Sequence, residues 1–156
     1  MSKLKIFTLI GLVLLTSVSV AQKYRYIKGG TYEGIVWIHH EISDSKLVQP
    51  YIPTDMEIAR MEKKIPAQLH ALVKEYKTRE YANMCCDIEK NLSKYKRHYH
   101  GICINGENEI IVSFYIGLPN KELKMPKRFN SGLCDNFTLS YNIKKDTLEG
   151  LFPKDE

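Results

Sequence analysis

The segment from Thr54 to Tyr76 constrains this chain more than any other. Met56, Ile58, Ile65, Leu69, Leu72, Val73 and Tyr76 recur at steps of three and four, which puts them on one apolar stripe of an α-helix between charged faces. Thr54 followed by Glu57 matches a capping box, in which the hydroxyl takes one orphan amide of the first turn and the glutamate returns to the amide of the cap residue. The spacing predicts a helix from about Asp55 to Lys77. Pro66 interrupts it: the ring removes the hydrogen bond to the Glu62 carbonyl and disfavours helical geometry at Ile65, so a kink or a break into two helices is expected there. An amphipathic helix of this kind must bury its stripe against a partner layer.

The partner is legible further along, where the period changes to two. "KRHYHGICI", "EIIVSFYI", "NFTLSYNI" and "TLEGLF" read as strands, and the "NGEN" between the first two is a hairpin signal because Asn-Gly suits the left-handed turn that matches strand twist. In the third strand Phe137, Leu139, Tyr141 and Ile143 alternate with Thr138, Ser140 and Asn142, the pattern of an antiparallel sheet covered on one side only. The second and third strands are separated by "GLPNKELKMPKRFNSGLCD", a long basic loop with two prolines. Upstream, residues 22–41 read as two short strands around a glycine turn, "SDSKLVQPYIP" as a proline-punctuated loop, and "YANMCCDIEKNLSKY" as a connection with room for a short helix. The fold class expected is therefore α+β: one kinked helix over about 55–77 packed on an antiparallel β-meander in a single domain.

The first 21 residues have the order of a secretory signal: Lys3 and Lys5, the apolar run "IFTLIGLVLL", then "TSVSVA" with small residues at Ser19 and Ala21. Cleavage before Gln22 is expected, and no cysteine follows the cut to carry a lipid anchor. The remaining chain has the size of one domain and no apolar run long enough to serve as an integral membrane anchor. The expected destination is secreted or periplasmic. The formal charge of +5 includes both lysines of the leader, and the rest is spread evenly, which argues against nucleic acid as a partner.

The four cysteines, Cys85, Cys86, Cys103 and Cys134, are disulfide candidates because export favours oxidation. Of the three possible pairings, a direct Cys85–Cys86 bond is disfavoured, since adjacent Cα atoms lie about 3.8 Å apart and bridges ordinarily begin near 4.4 Å. The remaining two tie the vicinal pair to Cys103 and Cys134; the competing reading is that some of the four are small buried apolar side chains. Zinc would need paired ligands at close spacing, which the cysteines lack. His98 and His100 share a strand face and could clamp an ion, but a third ligand would have to come from His39, His40 or a carboxylate, so no metal or other cofactor is assigned. Beside Lys94, Lys96 and Arg97 the two histidines read rather as a solvated polar strand face. Cys103 and His100 fall on opposite strand faces, and no nucleophile elbow, phosphate loop or zinc-protease helix occurs, so no catalytic residue is assigned.

The basic stretches "KYKRH", "KELKMPKR" and "KK" interleave with Tyr95, Tyr99 and Phe129, offering either a surface for an acidic partner or ordinary solubility. Glu107, Glu109 and Glu122 are scattered among the lysines and favour the second. Asn91 and Asn136 stand in "NLS" and "NFT" glycosylation sequons, which count only in a eukaryotic secretory pathway.

Two stretches carry a resemblance. "KYKRHYHGICINGENEIIVSFY" leads a tyrosine-rich basic strand through an Asn-Gly turn into an apolar strand, and "SGLCDNFTLSYNI" opens an alternating strand with a glycine-cysteine turn. Over about residues 88 to 145 the chain resembles small exported bacterial proteins of uncharacterised function. That resemblance implies a helix packed on an antiparallel sheet, cystatin-like in general architecture, and implies no catalytic residue.

The functional expectation is a non-catalytic exported domain that binds a protein or glycan. Its contact surfaces are expected on the open polar sheet face, at His98 and His100, and on the loop from Leu118 to Phe129 with Lys121, Lys124, Lys127 and Arg128. The alternatives are a small extracytoplasmic enzyme with a pocket between helix and sheet, and an inhibitor or immunity protein against a secreted enzyme. Neither the ligand nor the oligomeric state is legible.

Overall fold

A computed structural model describes residues 23–38, 47–79, 87–117 and 135–153. Among the described residues the strands are β1 (Tyr24–Lys28), β2 (Glu33–Trp37), β3 (Val48–Tyr51), β4 (Tyr95–Ile104), β5 (Glu107–Ile116), β6 (Asn136–Asn142) and β7 (Thr147–Pro153), with one helix, α1 (Asp55–Arg79), and a 3-10 turn at Leu92–Lys94. They form one seven-stranded sheet in the order β1-β2-β4-β5-β6-β7, with β3 paired to β4 off that path. The expected α+β architecture is present: one helix on a mostly antiparallel sheet, in a single domain. No helix among the described residues is long and apolar enough to cross a membrane.

The meander is β4-β5-β6-β7, each pair antiparallel. Its first turn is the Asn-Gly hairpin, with Asn105 at φ 51° and Gly106 at φ 82°, both left-handed as a two-residue turn between twisted strands requires. The β1–β2 hairpin joins the meander by a parallel pairing, Gly34 opposite Arg97 through Val36 opposite Tyr99. Parallel neighbours need a long crossover, and the stretch containing β3 and α1 supplies it. β3 then lines the outer half of the same edge of β4, from Tyr51 opposite Gly101 to Val48 opposite Ile104. The segment read as a proline-punctuated loop thus contains a short strand, and Pro50 sits there on an edge, where a missing amide is tolerated.

The helix begins as its capping box dictates. The Thr54 amide donates to Glu57 Oε2 at 2.8 Å and the Glu57 amide to Thr54 Oγ1 at 3.3 Å, while the Tyr51 hydroxyl donates to the same carboxylate at 2.6 Å. One detail of the stripe differs from the sequence reading. Met56 is 81% exposed, because it lies two residues, or about 200°, from Ile58 around a 3.6-residue helix; Met61 takes its place in the core. The helix runs through Pro66 as a single element, as the one-helix reading expects, and does not break into two. Pro66 lies on the exposed side, and the buried Ile65 and Leu69 hold the flanking turns to the sheet across the lost hydrogen bond.

The core fills the space between α1 and the sheet. Ile58, Met61, Ile65, Leu69 and Val73 meet Tyr95, Tyr99, Val112, Phe114, Phe137, Leu139 and Tyr141, all buried. Phe114 and Phe137 stack with centroids 4.3 Å apart, and Tyr95 meets both edge-on. Two glycines permit the close strand contacts: a Cβ on Gly34 would lie 2.1 Å from the Arg97 carbonyl oxygen, and one on Gly101 2.2 Å from that of Tyr51.

Candidate functional site

Alternation divides β4 into two chemistries. Tyr95, Arg97 and Tyr99 face the helix, and Lys96, His98 and His100 face the other way. Arg97 belongs to a basic run that reads as surface, yet it is 1% exposed. Its Nε lies 2.9 Å from Glu62 Oε1, its Nη1 donates to the Tyr95 carbonyl at 2.6 Å, and its guanidinium carbon sits 5.2 Å from the Phe114 ring centroid and 5.9 Å from that of Tyr32. The Tyr99 hydroxyl donates to the same Glu62 oxygen at 2.7 Å. Burial pushes the Glu62 carboxyl above its ordinary range, against the pull of the Arg97 charge and the Tyr99 and Arg97 hydrogen bonds. The Tyr99 phenol is raised strongly by burial and by the Glu62 charge. This set joins α1 to β4 inside the protein, with Glu62, Arg97 and Tyr99 all buried.

The opposite sheet face differs from the solvated polar surface expected of it. The register aligns Tyr26, Ile35, His98, Ser113, Thr138 and Phe152 across six strands. Beside that row lie Tyr24, opposite Trp37, and His100, opposite Ile111. His98 is 1% exposed, with Tyr115 at 4.8 Å and Trp37 at 6.1 Å between ring centroids. His100, half-buried, stacks on Trp37 at 5.8 Å with the planes 13° apart, and Tyr24 meets Trp37 edge-on at 6.0 Å. Ile35 and Tyr115 are buried within this second cluster, with Tyr24 and Trp37 packed against them. At one border Glu33 accepts from the exposed Tyr26 hydroxyl and pairs with Lys96. The Ser113 and Thr138 hydroxyls lie 3.1 Å apart further across the face.

The predicted residues therefore separate. His98 and His100 share a face, but Trp37 packs against both, and the described residues contain no group of three or more His, Cys, Asp or Glu placed to hold a metal ion. Cys103 is half-buried near the far end of β4, opposite Asn108, and forms no disulfide among the described residues. Cys85, Cys86 and Cys134, the loop cations Lys121, Lys124, Lys127 and Arg128, the proposed leader, and His39 and His40 lie outside the described residues. Of the two sequons, Asn136 is 1% exposed within β6, while Asn91 is half-buried with its amide donating to the Asp87 carbonyl at 2.9 Å.

Tyr24, Ile35, Trp37 and Tyr115 were not singled out from the sequence. Alternation of Ile35 and Trp37 against Val36 was visible, but their meeting with His98 and His100 depends on the parallel β2–β4 register, which no local pattern encodes. Chemically, the described residues of this face offer stacking surfaces and hydrogen-bonding edges. Comparison with protein-family models, with curated proteins and with solved structures finds no match to this chain.

Proposed function

We propose that this chain is an exported, non-catalytic interaction domain that meets a protein or glycan partner on the sheet face away from α1. The observation that carries the reading is the stack of Trp37 on His100, flanked by Tyr24 and bordered by the exposed Tyr26, on a face the helix does not cover. Aromatic side chains of this kind give a large contact area at low entropic cost and keep a polar edge for a partner. The filled interior supports the same conclusion, since a small-molecule pocket between helix and sheet would displace Tyr99, Phe114 or Arg97, each 0 to 1% exposed. Two of the edge strands, β3 and β7, are poor templates for strand addition. β3 carries Pro50, and β7 ends at Pro153 and bends at Gly150, with φ 70° and a register shift beside it.

The test compares the domain with a Trp37→Ala, His100→Ala variant, both immobilised, against a glycan array and an extract of extracytoplasmic proteins. A ligand held by the parent and weakened about tenfold or more in the variant, the equivalent of about 1.4 kcal/mol, with far-UV circular dichroism unchanged, is the expected result. Equal retention by both proteins rules out this face as the contact surface.

A further inference from the structure

No further inference is drawn: the strongest candidate, the patch of Tyr24, Trp37 and His100 on the sheet face away from α1, belongs to the site already described, and nothing in the structure shows which partner covers it.

Discussion

Arg97 is a cation in the one place where a cation is costly, and Glu62 and Tyr99 are what make it tolerable. Removing one member of a buried pair strands the other, whereas removing all the polar members together leaves an apolar interface. Arg97→Met alone is therefore expected to lower stability by about 3 to 5 kcal/mol. The triple change Glu62→Leu, Arg97→Met, Tyr99→Phe should recover most of that loss, because no carboxylate or phenol is left without its partner. Urea unfolding of the three proteins checks this; a triple variant as weak as the single one would mean that the pair is a net source of stability. Gly34 supplies a second residue-scale test, since Gly34→Ala drives a methyl into the Arg97 carbonyl in the parallel β2–β4 pairing. A loss of about 1 to 3 kcal/mol or more is expected from such overpacking, read as a lower urea midpoint. The burial of Arg97 was not legible: with Tyr95 and Tyr99 interleaved, the run "KYKRH" reads as a basic surface. Its counterion was not legible, because Glu62 meets β4 only through the docking of α1.

At the scale of elements, the start of α1 behaves as its sequence prescribes. Thr54→Ala is expected to cost about 1 kcal/mol, the usual value of an N-cap. Burial alone would raise the Glu57 carboxyl, but the hydrogen bonds from Tyr51 and Thr54 outweigh it and hold the pKa below the ordinary value. A depressed carboxylate contributes stability that is present above its unfolded pKa and is lost as pH falls through the folded one. Glu57→Gln should thus flatten the acid side of the stability profile below about pH 4.5, and an unchanged profile would remove Glu57 from the cap's energetics.

For the molecule as a whole, the parallel β2–β4 junction makes the N-terminal hairpin part of the same sheet as the meander, so the two should unfold together. Trp37, the single tryptophan in the chain, reports from that junction. Its fluorescence and the far-UV circular dichroism are expected to share one urea midpoint, as a cooperative single domain requires; an earlier fluorescence transition would show the hairpin to be a separate unit. The sequence by itself determined the elements whose signals are local: the helix and its cap, the Asn-Gly turn, the period-two strands, and the facing of Leu139 and its neighbours toward a covering layer. These follow from backbone geometry and side-chain alternation within a few residues. Tertiary structure alone decided that β3 would form along β4, that α1 would continue through Pro66, and that Glu62 would neutralise Arg97. It also placed Trp37 against His98 and His100. Each of these depends on contacts between segments far apart in the chain, whose free energy exists only once the helix has docked and the strands have found their register.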